Sequence, residues 1–251
     1  MLKNLFKVAF RNFYREKFYT LLNVMGLAVG IAVSMLIGIY ILNELSYDRF
    51  HSKADRIYRL ISHLEMGSNS FDGNAVFPPL GAALKDNLPE VEYSVRISQP
   101  NDFLVKVEDI AFFEQNIYFA DSDFFKVFDF KLLAGDPATA ITNRYQVVLT
   151  PTMAQKYFQS SDWSSMVGKS ILMGDDLYKV TGIVEETPSN AHFHYSAIGS
   201  IESTDVGKQN DWDNMNTSTY LLLNEGTNTN VLVSKFPDLI DPLLLFISFY
   251  I

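Results

Sequence analysis

The longest pattern in the chain is a run of 26 residues, Phe18 to Asn43, with no ionised side chain, interrupted between Thr20 and Leu42 only by Thr20, Asn23 and Ser34. A bilayer core of roughly 30 Å needs about 20 helical residues, and a cleavable leader has only about 7 to 15 apolar residues before its cut site. The run therefore predicts a retained transmembrane helix. Ahead of it, Leu2, Leu5, Phe6, Ala9, Phe10 and Phe13 recur at helical spacing, while Lys3, Lys7, Arg11 and Asn12 fall on other faces. Residues 1–18 are expected to form an amphipathic helix on the cytoplasmic face, its apolar stripe in the membrane lipid and its cations near anionic headgroups, or else an ordinary flanking helix that obeys the positive-inside bias. Within the span, Gly26, Gly30, Ser34 and Gly38 repeat every four residues, which leaves one side of the helix nearly flat and predicts close packing against another membrane helix. Glu44 to Phe50 contains neither Pro nor Gly, so residues 19–50 read as one transmembrane helix and stalk, about 48 Å from Tyr19 to Phe50.

Past residue 50 the periods shorten. Arg56 to Met66 alternates, with Tyr58, Leu60, Leu64 and Met66 on one face, and predicts a strand. Pro78-Pro79 opens a helical stretch that stops at Pro89, and Val91 to Ile97 predicts the strand that completes a β-α-β unit. A similar rhythm follows in the strand-like Ile117 to Ala120, a short helix Asp123 to Val127 and a strand Asp129 to Leu133 ending at Gly135-Asp136. Gln146 to Leu149 reads as a short apolar strand, and Thr150-Pro151 as the cap and first-turn proline of a helix Thr152 to Phe158. Gln159 to Val167 is a polar loop with Trp163 as its large apolar anchor. Ser170 to Met173 and Leu177 to Val184 flank a Gly174-Asp175-Asp176 turn and predict a hairpin; Thr217 to Leu223 is strand-like, and Asn230 to Phe236 a short helix. Residues 51–236 thus read as one mixed α+β domain. The tail 237–251 ends in PLLLFISFYI, an apolar stretch of only ten residues, too short to cross a bilayer.

Charge changes this picture by giving it a direction. The chain carries a formal net charge of -9, yet residues 1–19 hold five basic side chains against Glu16, a net of +4, so the remainder sums to -13. Long domains cross membranes largely regardless of charge, so the short basic tail is the informative side and is expected to stay cytoplasmic, although Arg49, Lys53, Arg56 and Arg59 follow the span closely. A body this acidic repels nucleic-acid phosphates, so no nucleic acid is expected as a partner. The absence of cysteine removes disulfide scaffolds, thiol catalysis and cysteine-held metals. The core is instead supplied by 20 Phe and 13 Tyr.

Three local patterns invite chemistry and none sustains it. Gly168-Lys169-Ser170 looks like the end of a phosphate-binding loop, but the glycine five positions earlier is replaced by Trp163, and a strand follows where a helix should begin; a glycine turn before a hairpin is the better reading. His192 and His194 stand two apart near Asn190 and can begin a metal site without finishing one, which favours a structural role. Asp121 and Asp123 open a predicted helix, where carboxylates cap N–H groups. No catalytic residue, no cofactor and no metal ligand is expected.

The stretches LFKVAFRNFYREKFYTLLNVMGLAVGIA, ELSYDRFHSKADRIYRL, FPPLGAALKDNLPEVEYSVRI and VTGIVEETPSNAHFHYSAIGS together resemble the first span and outer domain of MacB-like and FtsX-like permease subunits of ABC transporters. The resemblance covers roughly residues 1–236. It implies an outer domain of Porter-like and Sabre-like parts, a non-catalytic chain, and a mechanical relay driven by a separate cytoplasmic ABC ATPase. It also implies partners in the membrane, either further permease helices or a second permease copy. Full members have three more spans after the outer domain, whereas this sequence stops at Ile251, so a truncated product, a fragment or a copy with a replaced end is expected. The location implied is the inner membrane, with one pass in this chain and the main domain periplasmic. A single-anchor extracytoplasmic sensor or ligand-binding module is the rival expectation.

Overall fold

The computed structural model describes residues 11, 15–66, 69–208, 212–239 and 247–250, so the expected amphipathic segment 1–18 lies mostly outside the described residues. The chain divides into two units, residues 1–49 and 50–251.

The first unit is built on helix α1, Lys17–Glu44, 28 residues with none of its side chains buried. At about 1.5 Å per residue it is about 42 Å long. Leu, Ile and Val point outward all round, which is the composition of a helix solvated by hydrocarbon. It is the one helix among the described residues that is long and apolar enough to cross a membrane. The expected helical stalk to Phe50 is not formed: regular helix ends at Glu44 and Leu45 to Phe50 follow as turns. Ser46 explains the stop. Its N–H and its hydroxyl both bond the Asn43 carbonyl, at 3.0 and 2.7 Å, using the acceptor that the next helical N–H needs. Asp48 then turns the chain with a φ of 57°.

In the second unit a ten-stranded sheet runs β1 (Ile57–Arg59), β12 (Thr217–Leu223), β4 (Val91–Ser98), β6 (Ile110–Ala120), β11 (Ala197–Ser200), β8 (Gln146–Leu149), β10 (Asp176–Val184), β9 (Ser170–Met173), β5 (Asn101–Val107), with β7 (Leu132–Gly135) also on β10. Because β5 pairs back onto β6, six of these strands close into a mixed barrel, β6-β11-β8-β10-β9-β5, in which the joins β6–β11 and β8–β10 are parallel. Among the described residues six short helices decorate it: α2 (Leu80–Asn87), α3 (Phe124–Val127), α4 (Pro151–Phe158), α5 (Asp205–Lys208), α6 (Thr229–Val233) and α7 (Phe236–Leu239). Helix α4 starts as expected, with the Met153 N–H donating to Thr150 Oγ1 at 3.4 Å and proline in the first turn.

Two expectations are corrected. The single strand Arg56 to Met66 is two strands broken at Leu60, whose N–H donates to the Thr219 carbonyl at 2.9 Å while its side chain is wholly buried. There the chain leaves the large sheet for a small antiparallel one, β13 (Ile247–Tyr250), β2 (Ile61–Met66) and β3 (Asn69–Gly73). The β-α-β unit is split, because β12 inserts between β1 and β4 and is antiparallel to both. Part of the apolar tail is β13, paired with β2, while residues 240–246 lie outside the described residues.

The strands act as two walls that separate three cores. Along the barrel wall, Ile117, Phe119, Val147, Leu149 and Ala197 face the barrel interior, and their neighbours Ala120, Val148 and Ile198 face an aromatic core. Along the second wall, Tyr220, Leu222, Val95 and Ile97 face that same aromatic core, and Leu221, Leu223 and Val91 face a third core under α2, α6 and α7. Alternation with both faces covered explains why Val147 to Leu149 are apolar without a break. The middle core is held by Phe124, Phe128, Phe130, Phe193 and Tyr195, with Phe124 stacked on Phe130 at 5.9 Å and 7°.

Candidate functional site

On α1, the expected packing residues Gly26, Gly30, Ser34 and Gly38 share a face by the helical period. A Cβ added at Gly26, Gly30 or Gly38 would meet nothing within 4 Å. Ser34 Oγ donates to the Gly30 carbonyl at 2.8 Å, so its hydroxyl is satisfied within the helix and costs little in lipid. Gly26, Leu27, Gly30, Ile31, Ser34 and Met35 line a shallow groove, flat along the glycines and walled by the larger side chains. Gly38 lies one turn beyond it.

In the second unit a cleft of about 460 Å³ opens between α2, β4, the Asp121–Asp123 loop and α5. Its floor is an ion pair that sequence reasoning missed. Arg96 donates through Nε and Nη2 to Asp121, at 3.1 and 2.8 Å, and the Arg96 backbone N–H donates to Asp121 Oδ2 at 2.7 Å. Burial opposes the Arg96 charge, but the hydrogen bonds and charge of Asp121 outweigh it and raise its pKa. Lys85, at the rim, lies 3.5 Å from Asp123, which also holds Lys126 at 2.8 Å. The cleft's cations are thus matched by carboxylates, and its chemistry is that of a neutral polar surface.

These contacts revise the reading of the two aspartates. Asp123 stands at the N-cap position of α3, yet its side chain makes no cap bond, and Asp121 is engaged with Arg96. Lysine and arginine charges compete better for a carboxylate than the N–H groups of a four-residue helix do. No local signal in the sequence marks Arg96 as the partner, since the pairing depends on β4 meeting the end of β6 at Ile97 and Ala120.

His192 and His194 do not converge. His192 Nε2 bonds the Tyr220 hydroxyl at 2.6 Å, and His194 Nδ1 bonds Thr187 Oγ1 at 2.9 Å. Phe193 and Tyr195 alternate with them and are buried, so the segment is fastened into the aromatic core. Among the described residues no group of three or more His, Cys, Asp or Glu side chains is placed to hold a metal ion. Gly168 is a turn residue with a φ of 95°, and its N–H donates to the Val180 carbonyl at 2.7 Å, leading the chain into β9. A second buried clasp joins β6 to α4: Glu114 accepts from Lys156 at 2.6 Å and from the Tyr157 hydroxyl at 2.7 Å. Burial first, and then the Glu114 bond, push the Tyr157 pKa upward.

The family description MacB-like periplasmic core domain matches residues 20–238. No curated protein matches the sequence significantly. Among solved structures, a domain of a protein described as a permease from Porphyromonas gingivalis is similar at a TM-score of 0.66 and 17% identity, covering 80% of this chain and 89% of that one. The periplasmic region of MacB from Actinobacillus actinomycetemcomitans is similar at 0.55 and 14% identity, covering 76% and 86%. The extracellular domain of the ABC-type transporter YknZ from Gram-positive bacteria is similar at 0.54 and 11% identity, covering 77% and 98%. At these identities the structural likeness is one of fold, whereas the family match takes in both most of α1 and nearly all of the second unit. The chain belongs to the family of the MacB-like periplasmic core domain.

Proposed function

We propose that the chain is a non-catalytic permease-type subunit of an ABC transporter. It relays ATPase-driven conformational change across the inner membrane to its periplasmic domain. The observation that carries this reading is the family match itself, which begins within an apolar helix and continues through the outer domain. In this reading α1 is a retained anchor with its N-terminal side cytoplasmic, and its Gly26, Gly30, Ser34 and Gly38 face docks on a further permease helix or on a second permease copy. The ATPase contacts the assembly from the cytoplasm. Expressed with the ABC-type ATPases and permease subunits of its own cell, the full chain should be recovered with one ATPase after cross-linking in intact membranes. Failure to recover any ATPase in such an experiment overturns the reading.

A second reading, an anchored ligand-binding module, is favoured by the cleft around Arg96. A small zwitterionic or neutral polar ligand that raises the melting temperature of the parent, but not of an Ala82→Trp variant, would support it; Ala82 lines the cleft.

A further inference from the structure

The residues that open the second unit are fastened to one short segment 77 positions away. The Phe50 ring lies 4.1 Å from His51 and 5.6 Å from Phe130. His51 is 5% exposed and meets Phe128 at 5.3 Å and Phe130, edge-on, at 5.1 Å. Backbone and side chains are stitched in the same place. The Asp129 N–H donates to His51 Nδ1 at 3.1 Å, the Ser52 N–H donates to Asp129 Oδ2, and Lys53 Nζ donates to the Lys126 carbonyl at 2.5 Å. His51 thus takes the N–H of Asp129, and Asp129 takes the N–H of Ser52, which closes a ring of bonds between the two segments. An Nδ1 that accepts a hydrogen bond carries no proton, so this contact also fixes the imidazole tautomer.

From this point the packing runs directly into the middle core. Phe130 meets Tyr195 at 5.1 Å, and Phe128 meets Tyr220 at 5.3 Å and Phe193 at 5.7 Å. Close-packed rings transmit displacement because they have little free volume to absorb it. The turns at Leu45–Arg49 have neither a helical ladder nor a core of their own.

We propose that Phe50–Lys53 and Lys126–Phe130 form a clasp that makes the residues opening the second unit part of the aromatic core's rigid body. Displacement arriving at Phe50 is then delivered to both sheet walls at once. The inference rests on the relay reading, because only a chain that transmits motion needs a stiff joint here. It differs from that reading in being a property of this chain without its partners.

The chain has no cysteine, so Ser52→Cys, which keeps the backbone N–H used in the clasp, and Ala138→Cys give two unique, exposed labelling sites within the second unit. With both spin-labelled in the full chain in phospholipid nanodiscs, pulsed EPR should show a narrow distance distribution. Asp129→Ala and His51→Ala should each broaden it roughly twofold, and His51→Asn, whose Oδ1 can take the Asp129 N–H, should restore it. A broad distribution in the parent, or variants as narrow as the parent, would overturn the clasp. If His51→Ala fails to fold by circular dichroism, Asp129→Ala decides alone, since that side chain is only half-buried. The measurement needs no ATPase, so failure of the clasp and failure of the relay reading are told apart.

Discussion

At the scale of single residues, the domain depends on charges that are held rather than merely exposed. Removing the carboxylate of Asp121 leaves the Arg96 guanidinium, whose side chain is 17% exposed, without its fork of acceptors. Asp121→Ala is expected to cost roughly 2–4 kcal/mol in a urea denaturation, toward the lower end because the site opens into a cleft. A loss below about 0.5 kcal/mol would show that solvent already screens the pair. Asp129 sets a pH dependence. Partial burial works to raise its pKa, but the hydrogen bonds from Ser52 and the charge of Lys53 outweigh it and hold it below the ordinary carboxylate range. A folded pKa below the unfolded one, about 3.9, means that the stabilisation is fully present above about pH 5 and is lost as pH falls through the folded value. The stability gap between the parent and Asp129→Asn should therefore be largest near pH 6 and should close in acid. A gap that is constant across that range would mean the bond to Ser52 does not favour the charged form.

At the scale of elements, what was legible in the sequence is what local patterning alone decides. The long apolar helix, the Thr150-Pro151 start of α4, the hairpin at Gly174 and the strand Thr217 to Leu223 each carry their own signal within a few residues. Strand β5 and the first half of β6 were not legible, because the barrel-filling Val105 is flanked by the exposed Leu104 and by Lys106, and Phe112 and Phe113 are both exposed, so no clean alternation marks the two faces. The end of α1 at Glu44 was hidden for a different reason: the stop comes from the Ser46 side chain bonding its own backbone, and no Pro or Gly announces it. The Arg96–Asp121 pair and the His51–Asp129 clasp were invisible because each joins elements far apart in the chain. The proposed packing face of α1 differs in kind, since it follows from the spacing of Gly26, Gly30, Ser34 and Gly38 on one helix and needs no distant element. If that face docks on another helix as proposed, Gly30→Leu, which fills the flat side without altering apolarity, is expected to weaken association of the full chain in membranes by about 1–2 kcal/mol, near tenfold, in a membrane FRET titration. Gly30→Ala should have a smaller effect, and equal association of both variants with the parent would place the interface on another face.

At the scale of the whole outer domain, the decisive feature is that the middle core belongs to both walls. Val148 and Ile198 reach it from strands whose other residues fill the barrel, while Tyr220 and Leu222 reach it from a strand whose other residues fill the third core. Neither lobe can lose its packing without uncovering one face of the shared strands, so the domain should unfold as one unit even though it has three cores. The chain has two tryptophans, and they are placed to test this: Trp163 packs against the barrel core, and Trp212 lies 5.7 Å from Phe77 in the third core. In Trp163→Phe and Trp212→Phe backgrounds, each remaining indole reports one lobe. Phe124→Ala empties the middle core where Phe124 stacks on Phe130, and should cost about 3–5 kcal/mol. If the walls are coupled as the packing implies, that single change lowers the urea midpoint of both indole signals together. A midpoint that moves for Trp163 alone, or for Trp212 alone, would show that the lobes are separate folding units, and the aromatic core would then be an interface between them, one that slips under load instead of carrying it.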